Sequence, residues 1–139
     1  MDNAEKLRMY LVDKNIPHET LNDDEGNPMI RFMQTLENGP QISIYMWFTA
    51  DTELLKIIIL NMATIDNPLK RDSVLDLLNE LNCKYRYFKF AMDDKGHIHA
   101  SYDMKLKEDY DPEDVLFYVF LILPVLQDEY KNFMKLCWM

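Results

Sequence analysis

A chain of 139 residues that is 48% hydrophobic, with 8 Tyr, 7 Phe and 2 Trp, is long enough to bury a core and too apolar for a disordered segment, so residues 1–139 read as one domain. The formal net charge of −9 argues against nucleic acid and anionic lipid as partners, because both call for a basic footprint. Two cysteines and three glycines speak against a disulfide framework and against a glycine-rich phosphate cradle.

The chain opens on a helix over 2–15, with Ala4, Leu7 and Leu11 at helical spacing. Asp2 or Asn3 caps its start, Asn15 suits a left-handed exit, and Ile16-Pro17 ends it. The stretch 18–21 is a short extended piece, followed by a turn-rich acidic loop over 22–27. That loop lacks the Asp/Asn alternation and distal Glu of a calcium loop, so an ordinary turn is the better reading. Three strands follow, over 29–36, 42–49 and 54–62, rich in β-branched and aromatic residues. Asn38-Gly39 signals a hairpin between the first two, and Ala50-Asp51-Thr52-Glu53 turns the chain before the third. Ile30, Phe32, Ile44, Met46, Ile57 and Ile59 alternate onto the faces expected to be core.

Asn67-Pro68 opens a second helix over 68–82, with Val74, Leu75, Leu77, Leu78 and Leu81 in its apolar stripe and Asn82 at a left-handed exit. Strands over 84–92 and 97–104 then form a hairpin about Asp93-Asp94-Lys95-Gly96, where Gly96 supplies a positive φ. Asp111-Pro112-Glu113-Asp114 starts the last helix: Asp111 caps, Pro112 fits the first turn, and the acids favour the positive dipole end. This helix runs over 112–136, with Pro124 as the place for a kink. Its apolar run over 115–126 is too short to span a bilayer and reads as a buried helix. The order is α-β-β-β-α-β-β-α: an α+β fold with one antiparallel five-stranded sheet and three helices.

No catalytic constellation appears. His97 and His99 share one strand face, but two ligands without a third rarely make a metal site. Cys83 has no adjacent base and orienting group, and reads as a buried or half-buried small apolar residue. There is no P-loop, dinucleotide fingerprint or nucleophile elbow, so neither a cofactor nor a metal is expected. An enzyme built on His97, His99 or Cys83 is the minority reading. The polar start Met1-Asp2-Asn3-Ala4-Glu5 is unlike a secretory signal, which gives a cytoplasmic expectation.

One pattern calls for explanation. The strand faces opposite the expected core are themselves apolar, carrying Met29, Met33, Tyr45, Trp47, Ile58, Leu60, Met62, Tyr85 and Tyr87. An antiparallel sheet with one wet face shows cleaner alternation, so either a helix or another chain covers this face. Met33, Tyr45, Trp47, Ile58, Leu60, Met62, Tyr85 and Tyr87 are therefore the candidate protein-contact residues.

The runs Leu77-Leu78-Asn79-Glu80-Leu81-Asn82 and Tyr87-Phe88-Lys89-Phe90-Ala91-Met92-Asp93-Asp94-Lys95-Gly96, with Asp103-Met104-Lys105-Leu106 and the acidic start of the last helix, resemble the YbjN family. The element order is similar to the type III secretion chaperone-like fold. The resemblance implies an α+β domain with a binding or regulatory role, and secretion chaperones pair as homodimers around a protein client. The expectation is thus a noncatalytic, acidic protein-interaction domain, a homodimer that binds a protein or peptide segment through apolar sheet or groove surfaces. The alternative is a self-associating adaptor without a client.

Overall fold

The computed structural model describes residues 2–37, 39–49 and 53–138. Asn38 of the first expected turn and Ala50, Asp51 and Thr52 of the second lie outside the described residues. Among those described, six strands form one antiparallel sheet in the order β1-β2-β3-β4-β6-β5, backed by helices on one side.

Helix α1 (Asn3–Asp13) begins where the Asp2 side chain accepts the Glu5 N–H at 2.8 Å. It ends at Asn15, whose φ of 56° is the left-handed exit that the Asn-Ile-Pro sequence calls for. Leu7 and Leu11 are fully buried, and the chain then enters β1 (Glu19–Asn22), paired to β2 (Pro28–Thr35). The sheet therefore has six strands, not the five expected. The sixth is a four-residue edge strand with every residue exposed, so no apolar alternation announces it.

Strands β3 (Gln41–Phe48) and β4 (Leu54–Thr64) form the centre with β2. Their inward residues Ile30, Phe32, Ile42, Ile44, Met46, Leu55, Ile57 and Ile59 are the core, as alternation predicts. A bulge interrupts β4 against β6: the step from Ile59 to Ala63 is matched only by the step from Ala100 to Ile98. Within it Met62 turns into the core and is 2% exposed, which corrects its assignment to the outer face.

A 3-10 turn at Pro68–Lys70, capped by Asn67 accepting the Leu69 N–H, leads into α2 (Arg71–Lys84). The helix runs past the exit expected at Asn82, because that side chain has another task. Asn82 donates to the Phe90 carbonyl at 3.0 Å and accepts the Phe90 N–H at 2.7 Å. Its amide stands in for a neighbouring strand along β5 (Lys89–Met92), whose other side pairs with β6 (His97–Lys105). Residues 84–88 are consequently not strand: Lys84 ends α2, and Tyr85, Tyr87 and Phe88 lie in the connection. Cys83 is exposed on α2, correcting its reading as a buried residue.

Asp111 caps α3 (Pro112–Phe120) by accepting the Glu113 N–H at 2.9 Å. Tyr110, just before it, donates its hydroxyl to the Asn3 carbonyl at 2.5 Å and so ties the starts of α3 and α1. Burial, with Asp2 nearby, pushes its phenol well above the ordinary range. The last helical stretch breaks at Leu121, between α3 and α4 (Ile122–Trp138). The break lies one turn before Pro124, because the proline has no N–H for the carbonyl of Phe120. No described helix is long and apolar enough to cross a membrane.

Candidate functional site: the open face of the sheet

Among the described residues all the helices contribute to one core against one face of the sheet, and none covers the other face. Pairing register lays out that face in rows. One row reads Leu21, Met29, Trp47, Lys56, Asp103; the next reads Glu19, Arg31, Tyr45, Ile58, Ser101, Lys89; a third holds Met33, Ser43 and Leu60. The sheet thus gathers Met33, Tyr45, Trp47, Ile58 and Leu60, five of the expected contact residues, with Met33 and Leu60 about 40% and 39% exposed. Tyr45, Trp47 and Ile58 are half-buried by their neighbours.

The aromatic side chains here are held, not loose. The Trp47 indole N–H donates to Asp23 Oδ2 at 2.8 Å, so the β1–β2 turn is pinned to the face. Asp23 also accepts from the Asn27 side chain and from the backbone N–H groups of Glu25 and Asn27. Burial alone would raise this carboxyl, but those four donors together hold it below the ordinary carboxylate value. Arg31 donates to Tyr45 Oη at 3.3 Å and pairs with Glu19, and these partners, Tyr45 first, push its pKa further up. Lys56 lies 5.6 Å from the Trp47 ring centroid, and Arg31 5.9 Å from that of Tyr45. Arg31, Lys56, Asp23 and Glu19 are not among the expected contact residues. The signal for them is the register, which sequence alone leaves open.

The other candidates go elsewhere. Tyr85 packs near Phe90 at 6.4 Å between centroids, on the helical side. Tyr87, 45% exposed, joins Tyr102 and Tyr118 at 5.8 Å and 5.3 Å, where β6 continues beyond the end of β5. His97 faces Asp93 at 3.2 Å, and His99 is half-buried opposite Ala91. The His18 ring meets the Ile16 carbonyl at 2.8 Å, and Cys137 donates weakly to the Thr64 carbonyl at 3.5 Å. No group of three or more His, Cys, Asp or Glu side chains is placed to hold a metal among the described residues. The arrangement on the open face suits stacking, apolar contact and paired hydrogen bonds, which is the chemistry of association.

A six-stranded antiparallel sheet with helices on one side and a tethered aromatic face on the other defines a small α+β domain. The chain belongs to the YbjN family: the family model, described as "Putative bacterial sensory transduction regulator", matches residues 3–123. That match runs from the start of α1 through α3 and takes in the whole sheet. No curated protein matches the chain.

Proposed function

We propose that this chain is a noncatalytic regulatory domain that acts by protein association, and that a second copy of itself covers the open sheet face. The observation that carries this is charge. The face bears Arg31, Lys56, Lys89 and Lys105 against Glu19, Asp23 and Asp103, so it is close to neutral in a chain of net charge −9. Two copies brought together by their acidic surfaces repel; brought together by this face they do not.

Size agrees. Eight residues of β3 span about 27 Å, and six strands span about 29 Å at the widest. That projected area is comparable to the roughly 800 Å² per partner of a stable interface, so most of the face takes part. Tethering of Trp47 and Tyr45 lowers the ordering entropy of association. Free cysteines fit the cytoplasm as its compartment.

Light scattering at micromolar concentration tests it. The expected result is a mass of two chains that falls to one in Leu60→Lys, an exposed position where the substitution keeps the fold and puts a charge on the apolar face. A wild-type mass of one chain, or a dimer untouched by Leu60→Lys and Ile58→Lys, overturns the reading.

A further inference from the structure

Helix α3 is too apolar for the cover it receives. From Val115 to Phe120 it has no charged residue; Val115, Leu116 and Val119 are buried, yet Phe117 is 62% exposed. Phe117 is not adrift, since its ring packs on Tyr118 at 5.5 Å between centroids. Beside it lies an open groove of about 460 Å³, lined by Ile16, Leu116, Phe117, Phe120, Leu121 and Pro124, with Glu113 at its edge. The floor is fixed to the core, because Phe120 packs on Phe32 at 5.5 Å. From Leu116 to Pro124 the lining spans about 12 Å of helix, enough for two turns of a partner helix.

Charge selects the occupant. Glu113 lines the groove on α3 one turn before Phe117, with Asp114 next to it in the chain. Among the described residues neither of these carboxylates has a basic partner within 4.0 Å. Two lysines of this region are engaged otherwise, Lys6 over the Tyr110 ring at 4.6 Å and Lys14 over the Tyr10 ring at 5.8 Å. Because the open sheet face is near neutral, the acidic excess of the chain lies on the helical side and in the loops. A second copy of this chain would bring more carboxylates to the groove. A cationic partner brings what it lacks.

We propose that the groove between the end of α1 and α3 binds a basic amphipathic helix, with apolar anchors at one-turn spacing beside Phe117 and lysine or arginine over Glu113 and Asp114. This is helix-in-groove recognition, with the apolar stripe giving affinity and the carboxylates setting sign and orientation. It rests on the reading of the chain as a protein-association domain, and is independent of the dimer.

The test uses the full chain and three synthetic peptides: an amphipathic helix of leucine and lysine, the same design in leucine and glutamate, and a scramble of the first. Fluorescence anisotropy should show binding of the leucine–lysine helix alone, weakened at least about tenfold by Phe117→Ala and also by raised salt. Phe117 is exposed, so that variant folds. Leu69→Lys, at an exposed position on neither proposed surface, should leave the affinity unchanged. Equal binding of the glutamate or scrambled peptide overturns the proposal, as does a Phe117→Ala variant with undiminished affinity. A change in the mass of the peptide-free protein on Phe117→Ala also overturns it, since the groove is then a self-contact. If the wild type proves a monomer and the peptide still binds at Phe117, the dimer falls and the groove stands.

Discussion

Gly26 and Gly96 offer a matched pair that separates backbone strain from steric exclusion. Each ends a hairpin turn of the same build: Gly26 N–H bonds to the Asp23 carbonyl at 3.0 Å, and Gly96 N–H to the Asp93 carbonyl at 3.1 Å. Their φ values are 85° and 86°. A Cβ at Gly26 meets nothing within 4 Å, whereas one at Gly96 falls 2.2 Å from the Ile65 carbonyl oxygen. Gly26→Ala should therefore cost only the positive-φ strain of an L-residue, about 1 kcal/mol. Gly96→Ala carries that strain and must also push its backbone and that of Ile65 about 1 Å further apart to restore a normal contact. The separation stretches the bond from Ile65 N–H to the Gly96 carbonyl, now 2.8 Å, and leaves buried groups unpaired. The total is about 3 kcal/mol or more, a difference of about 2 kcal/mol between the variants. Urea unfolding with a shared slope measures it. Equal destabilisation by the two substitutions would refute the close approach of the second hairpin to residue 65.

Asn82→Ala should remove both bonds to Phe90 and cost about 1–2 kcal/mol, with faster amide exchange at Phe90 and concentration-dependent association through the bared β5 edge; unchanged exchange at Phe90 would refute the capping role. Acid should act through the turn carboxylates. The backbone N–H of His97 before all else, then Lys95 and the His97 ring, hold Asp93 low against a smaller opposing effect of burial, and Asp23 is likewise depressed. A folded pKa below the unfolded one means stability that is present above about pH 4 and is lost as pH falls through the folded value. In a Trp138→Phe background, Trp47 emission should titrate with Asp23 in that window, and Asp23→Asn should abolish the transition; a transition that survives the substitution would show that the indole senses another group.

How much of this is legible in the sequence depends on whether the signal is local. Caps at Asp2, Asn67 and Asp111 and the left-handed Asn15 are readable because each acts within a few residues of itself. The inward faces of β2, β3 and β4 follow from alternation, except at the bulge, where no local residue type marks the extra positions that turn Met62 inward. Strand β1 escapes the reading of alternation although another signal exists. Asp23-Asp24-Glu25-Gly26-Asn27 has the same pattern as Asp93-Asp94-Lys95-Gly96-His97, and both fold into the same turn, with the first Asp accepting N–H groups two and four residues on. Treating the first as a hairpin requires strands on both sides of it. Asn82 reads as a helix exit because its partner, Phe90, comes from another element. The open face is legible in composition but not in membership. Tyr85 and Tyr87 share the aromatic character of Tyr45 and Trp47, and only the end of α2 at Lys84 decides that they belong to a connection on the helical side.

The division of charge gives the two proposed surfaces different jobs. An acidic chain that self-associates must do so through a region of itself that is not acidic, and here the paired rows of β1 to β6 provide it by setting Arg31 beside Glu19 and Lys56 beside Asp103. That pairing lets the face be neutral and still carry Tyr45 and Trp47 ordered by hydrogen bonds. The same segregation leaves Glu113 and Asp114, among the described residues, without a basic partner, next to a groove with an apolar lining. A groove of this kind is selective because of what it repels: an acidic helix of equal hydrophobicity meets Glu113 and Asp114 as like charges. Neutralising these residues should therefore do more to admit acidic helices than to weaken basic ones. Selectivity, more than affinity, is the property to follow in a Glu113→Gln, Asp114→Asn variant.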